Sequence, residues 1–211
     1  MGTNVRSGIV TNGLIHYLDA GNRQSYVSGS TTWLDLSGNG NTGTLTNGPT
    51  FNSANLGSIV FDVTTRNKVS FAGVALTNTN TVNLWIYPVA SDNWGCLYTQ
   101  GATLGVFYKS TDRISVYSVS DRLSNFTVTR NQWTNITVTC NAGAILFYKN
   151  AVLDTARPTG GPAYTADSMG DDPNNETFGG RIAILQVYNR TLSQQEVLQN
   201  YNAHKNRFEL L

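Results

Sequence analysis

The hydrophobic pattern is clearest near the end of the chain, from residue 178 to residue 207. Residues 178–188 alternate in polarity and are rich in Ile, Leu, Val and Tyr, after the glycine pair Gly179–Gly180. This pattern predicts a strand that begins at a sharp bend.

The segment after this strand predicts one short helix. Ser193 stands at its N-cap, and Glu196, three residues later, completes a capping box. Val197, Leu198 and Tyr201 then recur at helical spacing and form one narrow apolar stripe. We expect this stripe to pack on the outside or the edge of a sheet that the preceding chain forms.

Short strand-like segments separated by turn residues fill most of the preceding chain. Besides the closing strand, they are predicted at 9–19, 58–63, 68–71, 81–88, 96–98, 104–109, 113–119, 125–129, 133–140 and 144–150. About a dozen short strands with turns between them predict a two-sheet β-sandwich.

Three local features of this strand pattern lead to specific expectations. The segments 58–63 and 68–71 are expected to pair as a hairpin. The strand at 81–88 is expected to end at Pro88, because proline cannot donate to a sheet ladder. Residues 156–177, rich in Gly, Pro and Asp, are expected to form a loop.

Alternation sorts the side chains of two strands onto two faces. Residues 81–88 place Val82, Leu84 and Ile86 on one face and Asn83, Trp85 and Tyr87 on the other. Residues 133–140 place Ile136, Val138 and Cys140 opposite Asn135, Thr137 and Thr139. We expect the apolar face to form the core and the other face to be solvated.

Composition narrows the classes of function. The 211 residues suit one all-β domain spanning 1–211, with no second domain. Net charge is +1 and charged residues make up 13%, against about 25% in an average domain. The 24 Asn and 26 Thr supply the polar groups instead. Because such a surface has little long-range field, we expect no nucleic-acid partner and no acidic-membrane partner.

The cysteines and the N-terminal residues add two expectations. Cys96 and Cys140 are too few and too distant for a disulfide scaffold or a zinc site, so both are expected as small buried apolar groups. No apolar run is long enough to insert into a membrane, and no secretion signal is recognisable at the start. We therefore expect synthesis in a cytoplasm.

Six segments taken together resemble a known family. They are GLIHYLDAG (13–21), WLDLSGNGNTGTL (33–45), SIVFD (58–62), TVNLWIYP (81–88), QWTNITVTCNAGAILFYKN (132–150) and FGGRIAILQVYNRTLSQQEV (178–197). The chain resembles the laminin G-like branch of the concanavalin A-like lectin/glucanase superfamily over nearly its whole length. The resemblance implies an all-β jelly-roll sandwich of two antiparallel sheets, with one short C-terminal α-helix.

Two details refine the resemblance. Family members commonly carry an acidic pair in the closing strand, where this chain has Ala183-Ile184. The LDAG and NGPTF segments that flank SGNGN are similar to domains of tailed-phage virion proteins. This variant implies a place in the virion, with capsid or tail subunits as partners.

Catalysis is not expected from these residues. Glycan hydrolases of the superfamily place two carboxylates on one strand face, but this chain has only three Glu, and no predicted strand carries Asp or Glu at alternate positions. His16 and His204 are the only imidazoles, and both are expected to be structural. We therefore expect a protein that is not an enzyme and has no catalytic residue.

Calcium is the one cofactor for which the sequence offers ligands, because Ca²⁺ takes carboxylate, amide and carbonyl oxygens. The candidate ligands lie in two loops and are Asp35, Asn39 and Asn41 in the first, with Asp171, Asp172, Asn174 and Glu176 in the second. The alternative is that these side chains cap turns by hydrogen bonds to the neighbouring backbone.

Glycan binding would depend on aromatic rings, because sugar C–H faces stack on Trp and Tyr. The candidate rings are Trp85, Tyr87, Trp94, Tyr108 and Tyr117. The alternative for each ring is packing in a core or at a subunit contact.

The sequence thus leaves three functions in order of preference. The first is a non-enzymatic virion surface protein, a capsid decoration or fibre component, that holds neighbouring subunits and adheres to cell-surface glycans. The second is a soluble calcium-dependent carbohydrate-binding module, and the third is a polysaccharide hydrolase or lyase. Display on a particle would favour a homo-oligomer.

Overall fold

The computed structural model describes residues 8–91, 93–101, 103–156 and 158–210, and it is built almost entirely of strands. The strands in chain order are β1 (Leu14–Asp19), β2 (Thr32–Trp33), β3 (Gly43–Thr46), β4 (Thr50–Asn52), β5 (Ser58–Phe61), β6 (Lys68–Leu76), β7 (Asn80–Ser91), β8 (Trp94–Gln100), β9 (Leu104–Lys109), β10 (Ile114–Tyr117), β11 (Asp121–Leu123), β12 (Thr134–Cys140), β13 (Ile145–Lys149), β14 (Val152–Leu153), β15 (Tyr164–Met169) and β16 (Phe178–Tyr188). One α-helix, α1 (Gln194–His204), follows β16, and the 3-10 turns are Ala54–Leu56 and Lys205–Phe208.

The strands form two antiparallel sheets. The first sheet has the order β14-β13-β12-β7-β16-β5-β4, and the second has the order β11-β10-β9-β8-β15-β6-β3-β2. The closing strand β16 is central in the first sheet, since it pairs with β7 along one edge and with β5 and then β1 along the other. The predicted all-β jelly-roll sandwich with one short C-terminal helix is confirmed.

The main core lies between the two sheets. Val82, Leu84 and Ile86 of β7 point into it and are almost completely buried, as the alternation predicts. They face apolar side chains of the second sheet, including Val106 and Val116. Burying each such side chain contributes about 1.5–3 kcal/mol to folding.

The predicted capping box starts α1. The Ser193 hydroxyl accepts from the Glu196 backbone N–H at 3.3 Å, and Glu196 Oε2 accepts from the Ser193 N–H at 2.9 Å. Arg190 also pairs with Glu196 at 2.6 Å, and this ion pair helps to lower the pKa of Glu196 to about 2. The carboxylate therefore stays charged at the positive end of the helix dipole.

The helix and the turn after it lie on the outer face of the first sheet. Trp85 is fully buried there, with Tyr201 stacked on it at 5.7 Å and Phe208 at 4.2 Å between ring centroids. The predicted position on the outside of a sheet is confirmed. The predicted stripe is wrong at Leu198, which is 47% exposed. Asn200 is buried instead, because its side chain bonds to Val10 N and Tyr188 Oη.

The expectation of a solvated outer face is wrong for the part that α1 covers. Asn83, Asn135 and Thr137 are almost fully buried and hydrogen-bond to one another at 2.8 Å through Asn83 Oδ1. Asn83 Nδ2 donates to Gln186, and Gln186 lies 3.3 Å from a His204 ring nitrogen. Polar side chains form a buried layer here because they pair with each other rather than with water.

The predicted hairpin at 58–63 and 68–71 is wrong. The strand β5 belongs to the first sheet and β6 to the second, so this stretch crosses between sheets. The link from 62 to 67 is closed by its own side chains, since Asn67 Oδ1 accepts from Asp62 N and Asp62 Oδ1 accepts from Thr64 N. A tight turn thus joins two strands that do not pair.

Three other local expectations need correction. The strand β7 continues through Pro88 to Ser91, because its pairing with β12 ends at Ile86 and only β16 flanks it beyond that point. The predicted loop 156–177 contains β15, which lies between β8 and β6. Residues 125–129 form no strand, and the chain pairs earlier, at β11.

The predicted state of the cysteines is confirmed, since Cys96 and Cys140 are both free and buried. None of the helices in the described part of the chain is long and apolar enough to span a membrane.

Candidate functional site

Four of the predicted site residues meet in one cleft on the outer side of the second sheet. The cleft, called here the Trp94 cleft, has a volume of about 260 Å³ and is lined by Trp94, Thr103, Tyr117, Asn174 and Glu176. Two of these residues were predicted as glycan-binding rings and two as metal ligands. The fold therefore combines parts of two separate predictions in one place.

The aromatic wall of the Trp94 cleft comes from neighbouring strands. Trp94 begins β8, and Tyr117 ends β10, with β9 between them. Their ring centroids lie 4.9 Å apart at 71°, and Phe107 of β9 packs edge-on against Trp94 at 5.3 Å. Phe107 points away from the main core because its neighbours Val106 and Tyr108 point into it.

A lysine lies beneath the aromatic wall. The Nζ of Lys109 is 2.8 Å from the centre of the Trp94 ring and 3.4 Å from Asp121 Oδ2. Burial lowers the pKa of Lys109, while Asp121 acts in the opposite direction. The ammonium group thus holds the Trp94 ring in place by a cation–π contact.

The opposite wall carries a carboxyl group with unusual acidity. Burial, a hydrogen bond with Asp172 and the charge of Asp172 raise the pKa of Glu176 to about 8, with Lys109 acting in the opposite direction. Glu176 is therefore protonated at neutral pH. Its Oε2 is buried and has no hydrogen-bond partner among the described residues.

Asp172 fixes the loop that presents Glu176. Its Oδ1 accepts from the backbone N–H groups of Asn174 and Glu176, and its Oδ2 accepts from the thiol of Cys96 at 3.3 Å. Asp172 is only 1% exposed. Its carboxylate is therefore a structural anchor and does not reach the cleft.

Backbone contacts attach this loop to the second sheet. Cys96 N donates to Glu176 O at 3.1 Å, and Gly170 N donates to Cys96 O at 3.0 Å. Gly170 has φ +92°, and a Cβ there would overlap a ring carbon of Phe61. Only glycine fits at this bend.

The other three predicted rings lie elsewhere. Trp85 and Tyr108 have no exposed surface, the first beneath α1 and the second in the main core with its hydroxyl donating to Asp112. The expectation that these two rings line a ligand surface is wrong, because each is enclosed by packing. Tyr87 is half-buried on the outer face of the first sheet, edge-on to Trp133 at 5.5 Å.

The first predicted calcium loop is held by hydrogen bonds within the protein. Both oxygens of Asp35 accept protein donors, namely the N–H groups of Tyr17, Ser37 and Asn41 and the hydroxyl of Ser37. The Asn41 side chain donates to Ile15 O at 2.7 Å, and that of Asn39 donates to Leu14 O at 3.4 Å. Asp35 thus caps its own turn at Ser37, as the alternative predicts, and the two Asn side chains attach the loop to β1.

The second loop is likewise occupied. Asp171 pairs with Arg66 at 2.9 Å and accepts from the Thr177 hydroxyl at 2.8 Å. In the described ranges, no three His, Cys, Asp or Glu side chains are grouped so as to hold a metal ion. The carboxylates of Asp35, Asp171 and Asp172 thus already accept hydrogen bonds from protein donors, whereas Ca²⁺ takes six to eight oxygen ligands. Calcium binding stays a prediction.

Sequence reasoning missed Lys109, Thr103 and Asp121. The alternation of Phe107 and Lys109 along one face was a usable signal for Lys109. Nothing in the sequence indicated that this face borders Trp94, because strand neighbours are set by the sheet and not by the local pattern.

A family model of the laminin G type matches residues 61–198, and its description is the concanavalin A-like lectin/glucanases superfamily. The chain belongs to this superfamily. The match covers β8–β10 and the loop of Glu176, so all the residues that line the Trp94 cleft lie within the matched part of the chain. A search of curated proteins found no match.

Solved structures of low sequence identity share the fold of this superfamily member. Domain 4 of an extracellular arabinanase from Geobacillus stearothermophilus, in complex with arabinotriose, has a TM-score of 0.71 at 17% identity and covers 89% of this chain and 98% of that one. The Trypanosoma rangeli sialidase in complex with sialic acid has a TM-score of 0.66 at 10% identity, covering 92% of this chain. The binding domain of botulinum neurotoxin DC, in complex with rat synaptotagmin II, has a TM-score of 0.66 at 14% identity, also covering 92%.

The extent of these matches differs. This chain spans 33% of the sialidase chain and 52% of the toxin chain. The structures show that the chain has a lectin-like jelly-roll fold, and at these identities they show the fold alone.

Proposed function

We propose that the protein binds glycans through the Trp94 cleft. The observation that carries this proposal is the convergence of two aromatic rings with the amide of Asn174 and the half-buried carboxyl group of Glu176 in one cleft. Trp94 and Tyr117 offer apolar contact to sugar C–H groups, while Asn174 and Glu176 offer hydrogen bonds to hydroxyls. The arabinotriose and sialic acid bound to the similar structures support a glycan as the ligand class.

We further propose that the protein does not cleave the glycan. Glycosidases flank the scissile bond with two carboxyl groups. Glu176 is the only carboxyl group among the described residues that line the cleft, and its neighbour Asp172 is buried and fully hydrogen-bonded. A single carboxyl group supports holding a sugar rather than hydrolysing it.

The proposed place of the protein is the surface of a tailed-phage virion, as a capsid decoration or fibre component. The support is the LDAG–SGNGN–NGPTF variant and the near-zero net charge, which suits close packing beside other subunits. Detection of the chain in purified particles by mass spectrometry is the test. Its absence from them would overturn this placement and would leave the proposed binding activity intact.

A glycan array followed by calorimetry on the strongest ligands tests the binding. We expect Trp94→Ala and Tyr117→Ala to weaken affinity about tenfold or more, since each removes a stacking surface. The matched control is Phe51→Ala, a half-buried ring that stacks on Tyr26 outside the cleft, and it should keep wild-type affinity. Flat arrays for the wild type would overturn the proposal.

Repeating the array with a chelator separates the calcium-dependent module from this proposal. We expect the same signals with and without chelator, because the carboxylates of Asp35, Asp171 and Asp172 accept hydrogen bonds from protein donors. Signals lost in chelator and restored by Ca²⁺ would favour the calcium-dependent module.

One observation favours a hydrolase as a second candidate function. A carboxyl group with a pKa of about 8 resembles the general acids of glycosidases. Release of reducing sugar from a bound glycan, lost in Glu176→Gln, would establish that candidate. No release at about pH 5 to 8 by a wild-type protein that binds the glycan is the outcome we expect.

A further inference from the structure

A second groove lies on the outer face of the first sheet, where α1 does not cover it. It has a volume of about 540 Å³, twice that of the Trp94 cleft. Its apolar wall consists of Val60, Val63, Val89 and Ala90, and Arg181 stands at one end. We call it the Arg181 groove.

Arg181 is held in place by rings rather than by an acid. It lies in register between Val60 of β5 and Tyr87 of β7. Its guanidinium carbon is 3.7 Å from the centre of the Tyr87 ring and 5.4 Å from that of Trp133. These cation–π contacts fix the position of the guanidinium group without using its N–H donors.

The N–H groups of Arg181 have no protein acceptor in the described ranges. The ion pairs found there join other residues, and Arg181 donates no side-chain hydrogen bond to a described residue. Arg181 is half-buried, and the N–H groups of its planar guanidinium are suited to bind a carboxylate with two parallel hydrogen bonds.

The other residues that line the groove indicate which kind of ligand would contain that carboxylate. Val63 and Ala90 pack tightly over Gly179, where a Cβ would meet Val63 at 2.9 Å and the Ala90 oxygen at 3.2 Å, so they form a continuous aliphatic surface there. The rim carries the hydrogen-bonding side chains of Asn52, Asp62 and Thr64. The groove therefore combines one cation, one carboxylate that accepts hydrogen bonds from Thr64, an aliphatic surface and polar side chains for hydroxyl groups.

A peptide fits this face less well than a sugar. The strands β5, β16 and β7 are paired with each other under the groove, so they offer no free edge for a peptide backbone. A sugar ring brings C–H groups to the aliphatic wall and hydroxyls to the rim, with no backbone amides to satisfy.

We propose that the Arg181 groove binds a carboxylated sugar, a hexuronic acid or sialic acid unit, through a bidentate contact from Arg181. This site is separate from the Trp94 cleft and lies on the other sheet. This inference does not depend on the proposed glycan binding at the Trp94 cleft, because the two sites have different residues.

The test uses acidic ligands, each with a neutral partner that lacks the carboxylate or the sugar unit that carries it, with binding followed by NMR titration or calorimetry on the full chain. The pairs are trigalacturonate with galactotriose, and 3′-sialyllactose with lactose. We expect one acidic member to bind and its neutral partner to bind at least about tenfold more weakly, with affinity falling as salt rises. Which pair responds identifies the source of the carboxylate.

Variants locate the site. Arg181→Gln should abolish acidic-sugar binding, and Arg181→Lys should weaken it about tenfold, because lysine keeps the charge but loses the planar fork. Arg23→Gln is the matched control, since it removes the same charge from an exposed residue outside the groove. Thermal unfolding of each variant verifies that it is folded.

Three results would overturn the proposal. They are equal binding of acidic and neutral partners, wild-type affinity in a folded Arg181→Gln variant, and binding of an acidic peptide such as tri-glutamate without binding of either acidic sugar. Acidic-sugar binding that Trp94→Ala removes and Arg181→Gln retains would assign the ligand to the Trp94 cleft instead.

Discussion

At the scale of single residues, Glu176 shows how surroundings decide what a side chain does. In the sequence it is one of three glutamates, in a loop of turn-forming residues. In the fold, burial and Asp172 raise its pKa to about 8, and the side chain lines a cleft. A residue predicted as a metal ligand thus lies in the cleft through which we propose that glycans bind.

Glu176→Gln tests this protonation by its effect on stability. The folded-state pKa of about 8 exceeds the ordinary value of 4.5, so the folded protein binds the extra proton. Stability from this proton is complete below pH 4.5 and is lost as the pH rises through 8. We expect Glu176→Gln to gain stability relative to the wild type between about pH 5 and 9, as measured by urea unfolding.

A parallel set of measurements on Glu209→Gln, an exposed glutamate outside the cleft, is the control for replacing a glutamate by glutamine. A Glu176→Gln difference that stays constant over about pH 5 to 9 would contradict the raised pKa.

Gly170 is a second residue whose role is local. With φ +92° and a ring carbon of Phe61 in the space that a methyl group would take, Gly170→Ala combines backbone strain with overpacking. We expect a loss of about 2–4 kcal/mol in the free energy of unfolding. Gly38→Ala is the matched control, because Gly38 also has a positive φ of +84° but no atom within 4 Å of its Cβ position. Equal losses for the two would contradict the packing argument.

At the scale of elements, α1 and the turn after it act as a cover for part of the first sheet. Its start could be predicted from Ser193 and Glu196, because a capping box is a local motif. The stripe also predicted the burial of Val197 and Tyr201 correctly, but not that of Asn200. The hydrogen bonds of Asn200 with Val10 and Tyr188 orient the helix about its axis so that Asn200 is buried and Leu198 is exposed.

Phe208→Ala tests the cover. Phe208 stacks on Trp85 at 4.2 Å and packs on Trp133 at 4.6 Å. Removing it should cost about 3–5 kcal/mol and expose Trp85, which unfolding curves and tryptophan fluorescence would detect. Leu198→Ala, on the exposed side of α1, should cost under about 1 kcal/mol. A small cost for Phe208→Ala would mean that the cover does not stabilise the sheet.

The strand predictions succeeded in the two longest alternating segments and missed β15, where alternation is weak. Residues 81–88 and 133–140 alternate clearly, and their faces are correct. The strand β15 has the sequence YTADSM, in which apolar periodicity is faint, and its pairing shifts at a bulge between Ala166 and Ser168. It forms a strand because β8 and β6 lie on both sides and supply partners.

At the scale of the whole molecule, closing the two sheets over each other buries His16. Its Nδ1 lies 3.1 Å from Tyr98 Oη, Phe71 packs edge-on at 4.8 Å, and Asp35 is the nearest acid that acts on it. Burial lowers its pKa to about 4 and does the same for His204, which faces Gln186, Asp19 and Arg207. Both imidazoles are therefore neutral in the folded protein at neutral pH.

This burial predicts sensitivity to acid. Because the folded pKa of each histidine is below the ordinary 6.5, the unfolded chain takes up protons first, and stability is lost as the pH falls from 6.5 towards 4. Each imidazole contributes a slope of up to about 1.4 kcal/mol per pH unit. We expect His204→Gln to have a shallower slope than the wild type in urea unfolding between about pH 6.5 and 4.5.

The raised pKa of Glu176 has the opposite effect on stability in acid, so Glu176→Gln can be compared with His204→Gln. In Glu176→Gln the proton of this carboxyl group is absent, so the loss of stability towards acid should be steeper than in the wild type. Identical slopes in the wild type and both variants would contradict the shifts at these groups.

The sequence by itself determined the two-layer antiparallel fold, the faces of its best strands and the start of its helix, because alternation and capping depend on residues close together in the chain. The tertiary structure decided which aromatic rings are covered and which meet. Trp94, Tyr117 and Glu176 lie on two strands and a distant loop, and only the order β10-β9-β8 and the path of the loop over it bring them together. Sheet order follows from the packing of the whole chain, which no local pattern contains.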